Sequence, residues 1–336
     1  MTQPVLDLTP LWAGILAAGV FFYVLLDGFD LGAGILCGLA RDARSRSLMM
    51  ESIAPIWDGN ETWLVLGGLS LLAAFPLAYA IIMPAVYFPL GIMLLALVFR
   101  GTAFEFRNRE RESGLWDHAF AWGSLIATVA QGLVLGAFIQ GFKVHARAFA
   151  GSSLDCFTPF SALTGLALVF GYALLGASWL VLKTEGELQQ RSRRQGRVAL
   201  IGVLIGIAAV SIWTPLAHRD IALRWFSWPN VVLLAPVPIA TALAAGWCWR
   251  ALNSRAEAQP FAAALLLFAL SYLGIGVSLY PDVVPHRYSL WQAASSESTQ
   301  AFLGVGAMFL LPIILMYSGW SYWVFRGKVR GDLGYH

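Results

Sequence analysis

Long apolar segments separated by short polar ones dominate the sequence. Each apolar segment runs for about twenty residues, which is the length a helix needs to cross a hydrocarbon core ~30 Å thick. Breaks at charged or turn-rich residues predict nine transmembrane helices, near 11–38, 53–74, 78–99, 118–140, 160–182, 198–217, 230–250, 261–281 and 301–325. The pattern predicts an all-α, polytopic integral membrane protein in which residues 1–336 form a single membrane domain.

Composition supports this class and narrows the functions that fit it. Hydrophobic residues make up 58% of the chain and charged residues only 12%, against about 25% charged residues in soluble domains. The net charge of +3 lies mainly in short loops, so we expect no nucleic-acid partner. Cys37, Cys156 and Cys248 form no C-x-x-C pair, which argues against a disulfide framework or a cysteine metal site.

The loops also predict an orientation. Most of the 22 Lys and Arg residues fall in the loops after the odd-numbered helices and in the C-terminal segment. The positive-inside rule places these segments in the cytoplasm, with the N-terminus outside and the C-terminus inside. Residues 1–10 carry no basic side chain, and the following helix has no small-residue cleavage pattern, so we expect the first helix to remain in the mature protein.

Four carboxylates lie inside predicted membrane helices, where each costs at least about 2.5 kcal/mol on insertion scales. Asp27 and Asp30 lie in the first helix, and Asp58 and Glu61 lie in the second. The members of each pair are three residues apart, so their side chains share one helical face. Acidic residues inside membrane helices are candidates for function by default.

The depth of these carboxylates follows from a rise of 1.5 Å per residue. Counted from the loop between the first two helices, Asp58 lies ~10 Å deep, Glu61 ~15 Å, Asp30 ~16 Å and Asp27 ~21 Å. The four side chains form a ladder from the cytoplasm to mid-membrane. Because burial disfavours the charged form, we expect a proton path through Asp58, Glu61 and Asp27.

A purely structural role is the alternative for these acids. They would then cap, pair or hydrogen-bond within the bundle, and Arg100 at the predicted cytoplasmic end of the third helix is an obvious partner. For Asp30, a fixed ion pair with Arg100 is the favoured interpretation, and Asp117 could join this buried polar cluster.

The histidines argue against chemistry within this chain alone. All five fall in predicted loops or at helix ends: His118, His145, His218, His286 and His336. A haem needs an axial ligand, commonly His, so we expect no haem ligand in this chain. The sequence also shows no nucleotide-binding loop and no plausible nucleophile–His pair, so we expect no catalytic residue and no bound metal here.

Two motifs resemble a known family. One is Asp27-Gly28-Phe29-Asp30. The other is Ser52-Ile53-Ala54-Pro55-Ile56-Trp57-Asp58-Gly59-Asn60-Glu61-Thr62-Trp63, in which Trp57 and Asn60 support the assignment. Together with Phe99-Arg100, Trp116-Asp117 and the loop from Tyr280 to Ser296, these motifs make the chain similar to subunit II of cytochrome bd-type quinol oxidases, including the cyanide-insensitive branch.

The resemblance implies a function and a set of partners. In that family, a haem-bearing subunit I oxidises quinol and reduces dioxygen to water, while the haem-free subunit II stabilises it in the bacterial inner membrane. The haems, b and in some members d, belong to the partner. Some members also have a small single-helix subunit or a structural quinone. The resemblance maps Asp58 onto a carboxylate of the cytoplasmic proton path, and Asp30, Arg100 and Asp117 onto a buried polar cluster.

Two other functions fit the same residues. A proton-coupled secondary transporter could use these carboxylates, but no second copy of the Asp58 motif occurs in the later helices, where an internal repeat would place one. A pure assembly scaffold is the remaining alternative. In that case the carboxylates would not move protons.

Overall fold

The computed structural model describes residues 7–107 and 114–329, and most of these are helical. The helices are α1 Thr9–Cys37, α2 Ala43–Glu51, α3 Trp57–Ala74, α4 Pro76–Ala85, α5 Tyr87–Arg107, α6 Gly114–Gln140, α7 Pro159–Lys183, α8 Gly186–Ala217, α9 Arg219–Phe226, α10 Asn230–Leu234, α11 Pro236–Asn253, α12 Gln259–Leu279, α13 Leu290–Ala293 and α14 Glu297–Val324. Four short strands form two antiparallel hairpins: β1 Val144–His145 with β2 Ala148–Phe149, and β3 Asp282–Val284 with β4 Tyr288–Ser289.

The all-α, polytopic prediction is confirmed. Within the described residues, eight helical segments are long and apolar enough to cross a membrane, namely α1, α5, α6, α7, α8, α10 with α11, α12 and α14. The remaining predicted span corresponds to α3, whose 18 residues begin with the polar side chains Asp58, Asn60 and Glu61. Each of the nine predicted spans therefore has a helical counterpart.

The third predicted span was placed too early in the chain. Instead of one helix at 78–99, the structure has the short α4 followed, after Val86, by α5. Pro89 explains the break, since its nitrogen cannot donate to the carbonyl of Ala85 one turn earlier. As a consequence, Arg100 lies within α5 and not in a loop, two turns before the end of the helix at Arg107.

The start of the second span also differs from the prediction. Residues 52–56 form turns, and α3 begins only at Trp57, so Asp58 lies in its first turn. Depths counted by helical rise from Glu51 therefore do not apply to Asp58 and Glu61. The predicted loop between the first two spans contains the short helix α2. The Asp42 side chain caps α2 by accepting from the Ser45 amide at 2.8 Å.

Alternation of the long helices gives the bundle two ends. We call the end that carries both β-hairpins, α4, α9 and α13 the hairpin end, and the opposite end, which carries α2, the α2 end. Helix α1 packs against α3, α6 and α7, so it lies at the centre of the bundle. Asp27 and Asp30 belong to the half of α1 that is most completely buried.

Glycines let α1 and α7 approach almost backbone to backbone. A Cβ atom on Gly32 would lie 1.8 Å from the carbonyl oxygen of Tyr172, and one on Gly176 would lie 2.3 Å from the carbonyl carbon of Gly32. Gly34 likewise faces Ser124 of α6, where a Cβ would lie 2.0 Å from Oγ. Small residues allow helices to approach this closely in membranes.

Helix α14 is the exception to this dense packing. Its most apolar stretch of 18 residues has no buried side chain within the described part of the chain. It contacts α3, where Tyr317 lies beside Gly59 and the Tyr322 hydroxyl donates to Asn60 Oδ1 at 2.8 Å. The rest of α14 forms a large apolar surface next to the first turns of α3.

Gly32→Val tests the α1–α7 contact. The added side chain would overlap the α7 backbone, so we expect destabilisation beyond the ~1–3 kcal/mol typical of core overpacking and a loss of monodisperse protein. Gly14→Val is the matched control, because a Cβ at Gly14 of the same helix meets no atom within 4 Å. Yield and thermal unfolding in detergent measure the effect, and equal stability of the two variants would contradict the packing argument.

Candidate functional site

A fully buried arginine lies at the centre of the candidate site. Arg100 of α5 has a side-chain exposure of 0%, and its Nη2 atom lies 2.7 Å from Oδ1 of Asp27, which is also 0% exposed. The same Nη2 atom forms a close ion pair and hydrogen bond with Oε1 of Glu61, whose side chain is 26% exposed. Three helices, α1, α3 and α5, therefore contribute one charged group each to a single contact.

Helix α6 packs directly behind this arginine. A Cβ on Gly123 would lie 2.8 Å from the carbonyl oxygen of Ala96 and 3.2 Å from the Arg100 amide nitrogen. The glycine therefore lets the α6 backbone press against α5 at this level. The charged end of the Arg100 side chain contacts Asp27 of α1 and Glu61 of α3.

Asn60 connects Asp30 to the outer helix α14. Its Nδ2 atom donates to Asp30 Oδ2 at 2.8 Å, and its Oδ1 atom accepts from the Tyr322 hydroxyl at 2.8 Å. The predicted ion pair between Asp30 and Arg100 is therefore wrong, since Arg100 pairs with Asp27 and Glu61. The reason is rotational: three residues along α1 turn the side chain by about 60°, so Asp30 faces Asn60.

Asp117 belongs to a different cluster at the α2 end. Its two carboxylate oxygens lie 2.6 Å from Arg46 Nε and 2.6 Å from Arg107 Nε. Arg107 also donates to Ser47 Oγ at 3.0 Å. These contacts join α2, α5 and α6. Asp117 is buried as predicted, but its grouping with Asp30 and Arg100 is wrong because Arg107 and Arg46 are the cations that it contacts.

Asp58 lies on the surface of the chain. Its side chain is exposed, one turn before Glu61 on α3. The neighbouring Trp57 stacks on Phe104 of α5 with ring centroids 5.2 Å apart, which fixes the first turn of α3 against α5. Asp58 is thus held by a well-anchored turn while its carboxylate faces away from this chain.

Several polar atoms of the buried cluster retain hydrogen-bonding capacity. Arg100 Nε and Nη1, Asp27 Oδ2 and Asp30 Oδ1 are buried and make no hydrogen bond with any described residue. The Asp27–Arg100 contact is itself an ion pair without hydrogen-bond geometry. Since buried polar atoms are nearly always paired in proteins, the cluster can make further hydrogen bonds, with Arg100 donating and the carboxylate oxygens accepting.

A neutral polar chain continues from Asp27 and was missed in the sequence. Gln131 of α6 donates to the Tyr23 hydroxyl at 2.7 Å and accepts from the Tyr172 hydroxyl at 2.7 Å. Tyr23 lies one turn before Asp27, and all of these side chains are buried. The signal in the sequence is Gln131 itself, a glutamine in the interior of an apolar helix, which a search restricted to charged residues does not include.

Comparison with known proteins places this chain in a family. The family model described as cytochrome bd terminal oxidase subunit II matches residues 8–325. The chain belongs to this family. Subunit 2 of the cytochrome bd-I ubiquinol oxidase of Escherichia coli K12 is 28% identical over 96% of this chain and 94% of the relative. Subunit 2 of the Bacillus subtilis cytochrome bd ubiquinol oxidase is also 28% identical, over 96% of each chain.

A solved structure supports the fold of this subunit II. The bd oxidase of Geobacillus thermodenitrificans contains a chain that superposes with a TM-score of 0.75, at 18% identity and over 95% of this chain and 99% of that one. The subunit II is a multi-pass membrane protein and one part of an oxidoreductase complex. Membership of the family implies a subunit I partner.

Removing the partners of Arg100 tests the site. In Asp27→Asn or Glu61→Gln, the arginine keeps one carboxylate, so each single variant should be moderately destabilised. The double variant leaves a buried cation unpaired, which typically costs ~3–5 kcal/mol. We therefore expect the loss in thermal stability to exceed the sum of the two single losses.

Asp155→Asn is the matched control for this experiment. It breaks the Lys143–Asp155 pair of 2.9 Å, whose side chains are 74% and 39% exposed. Such exposed pairs contribute about 0–1 kcal/mol. Additive losses in the double variant, or an equal loss in the control, would show that Arg100 does not depend on these two carboxylates.

Proposed function

We propose that this chain is the haem-free subunit II of a quinol oxidase of the bacterial inner membrane and carries part of its cytoplasmic proton path. The complex oxidises quinol and reduces dioxygen to water at the partner subunit. One observation carries the proposal: an exposed carboxylate, Asp58, is followed one turn later by Glu61, which contacts the buried pair of Arg100 and Asp27. In this proposal the α2 end is cytoplasmic and the hairpin end is outside.

Exposure falls stepwise along the proposed route. Asp58 is exposed, Glu61 is 26% exposed, and Asp27 and Arg100 are 0% exposed. Carboxylates can accept and release protons, whereas a guanidinium group stays protonated in proteins. Arg100 therefore acts as a fixed positive charge that holds the two carboxylates in place. The unused hydrogen-bonding atoms of Arg100 and Asp27 give the route capacity for a proton-conducting chain.

The position of Asp58 suggests where the partner subunit lies. Tyr317 and Trp320 of α14 are 56% and 63% exposed, and Tyr317 lies against Gly59, next to Asp58. The exposed faces of α3 and α14 thus form one surface that includes the carboxylate. We place subunit I on this surface, because a carboxylate facing lipid would be costly while one facing a haem-bearing partner can deliver protons.

The positions of the histidines support a chain without haem. The described histidines are His118 near the start of α6, His145 in β1, His218 after α8 and His286 in the β3–β4 turn; His336 lies outside the described residues. None of the described four lies in the middle of a membrane helix. The haems, b and in some relatives d, then belong to subunit I, as do the quinol site and the oxygen chemistry.

The other functions considered above are less well supported. Family membership favours an oxidase subunit over a proton-coupled transporter. A pure assembly scaffold would keep the same fold but would not need an exposed carboxylate next to a buried charged cluster. A structural quinone and a small single-helix subunit remain part of the proposal as features of the family, and no residues are assigned to them.

Asp58→Asn is the variant that tests the proton path. Without a titratable group at this position, proton delivery should slow, and we expect oxygen consumption by the quinol-fed complex to fall at least about tenfold, equivalent to ~1.4 kcal/mol in the barrier. Asp58→Glu restores a carboxylate and should recover much of the rate. Proton uptake linked to haem oxidation or reduction, recorded as a voltage change or with a pH indicator, measures proton delivery directly.

Two controls separate proton transfer from assembly. Glu297→Gln removes an exposed carboxylate at the hairpin end of α14 and should leave turnover unchanged. Haem content per complex should be the same in wild type and Asp58→Asn. Full turnover in Asp58→Asn would show that Asp58 has only a structural role. A fall in haem content that matches the fall in rate would support the alternative that this chain is an assembly scaffold.

A further inference from the structure

A second group of potential ligands lies at the hairpin end, far along the chain from the carboxylates of α1 and α3. His218 directly follows α8, Asp220 lies in the first turn of α9, and His286 lies in the turn between β3 and β4. One nitrogen or oxygen atom from each side chain lies within 4.8 Å of the others. Folding thus brings together three potential metal ligands from segments 66 residues apart.

His286 lies between two hydrogen-bond acceptors. Its Nδ1 atom lies 2.7 Å from Asp220 Oδ2, and its Nε2 atom lies 3.3 Å from the carbonyl oxygen of Ile139. Both neighbours are acceptors, but a neutral imidazole carries only one N–H group. A metal ion bound by Nδ1 and the Asp220 carboxylate would leave the Nε2–H group to donate to Ile139.

A second imidazole lies directly beside His286. The His218 ring stacks on His286 with centroids 4.3 Å apart and an interplanar angle of 5°. This places a second imidazole nitrogen, a donor type that zinc binds, within reach of Asp220 and His286. His286 also has a left-handed backbone, with a φ of 61°, which non-glycine residues rarely adopt and which recurs at functional sites.

The space around the three side chains suits a small hydrated ion. They line an open cavity of about 490 Å³ that also includes Asp282, Arg219 and Arg287. The two carboxylates and two guanidinium groups balance in formal charge, so net charge alone does not favour a cation over an anion in this cavity. The imidazole nitrogens favour zinc and similar transition metals, because calcium and magnesium prefer oxygen ligands.

We propose that His218, Asp220 and His286 bind a divalent transition metal, with zinc as the best match to this donor set. Tetrahedral zinc with ligand distances of ~2.0–2.1 Å needs donor atoms about 3.4 Å apart. The stacked rings have to turn about their side-chain torsions before their lone pairs converge on one ion, and the side chains of Asp220 and His286 are 61% and 20% exposed. Asp282 or solvent completes the coordination. The ion joins the α8–α9 junction to the β3–β4 hairpin and, through Ile139, to the end of α6.

Zinc binding to the purified complex tests the proposal. The complex is stripped with EDTA, titrated with zinc chloride, freed of unbound metal and analysed for zinc by mass spectrometry. We expect one more zinc ion per complex in wild type than in the triple variant His218→Ala/Asp220→Asn/His286→Ala. Each single variant should weaken binding by ~10-fold or more, since removing a side chain that only hydrogen-bonds to a metal ligand already has an effect of that size.

His145→Ala is the matched control, because His145 is exposed in the other hairpin of the same end and lies outside the cluster. It should bind zinc like wild type. A second measurement uses unmutated protein: zinc should protect His218 and His286, but not His145, from diethyl pyrocarbonate, as detected by peptide mass spectrometry.

Three results would overturn the proposal. One is equal zinc content in wild type and the triple variant, and another is modification of His218 and His286 that does not change with zinc. The third is thermal stabilisation of wild type by phosphate but not by zinc, which would assign the cavity to an anion held by Arg219 and Arg287.

Discussion

A single buried cation sets the arrangement of the first half of this subunit. An arginine in the interior of a membrane bundle is costly unless counter-charges reach it. Asp27 and Glu61 provide them from two different helices, at 2.7 Å and in a close ion pair with the same nitrogen atom. Helices α1, α3 and α5 therefore have to meet at one level, and the register of each helix is fixed there.

Dense helix packing allows α1, α3 and α5 to contact one another at the level of Arg100. Helices in a membrane gain no hydrophobic free energy by leaving lipid, so close van der Waals contact and polar links between helices hold them together. Gly32 and Gly176 bring α1 and α7 into backbone contact, and Gly123 does the same for α6 and α5 behind Arg100. The polar links Tyr23–Gln131 and Gln131–Tyr172 then tie α1, α6 and α7 beside Asp27.

The site also extends beyond the dense part of the bundle. Asn60 links Asp30 of α1 to Tyr322 of α14, so one buried acid is connected through a single side chain to a largely exposed helix. Asp58 lies on the same exposed side. In an oxidase subunit, this arrangement connects the surface available to a partner directly with the buried charges, through two helices that pack on each other.

The sequence by itself determined the membrane class, the helical segments, the confinement of the intramembrane acids to two helices and, through the Trp57–Glu61 motif, the family. These follow from local hydropathy, i, i+3 spacing and motif identity. Only the tertiary structure decided which acid meets Arg100, because a helix rotation of about 60° separates Asp27 from Asp30. It also decided that Asp117 pairs with Arg46 and Arg107 and that His218 meets His286. Such contacts depend on how distant helices are turned and stacked, which no local pattern in the chain records.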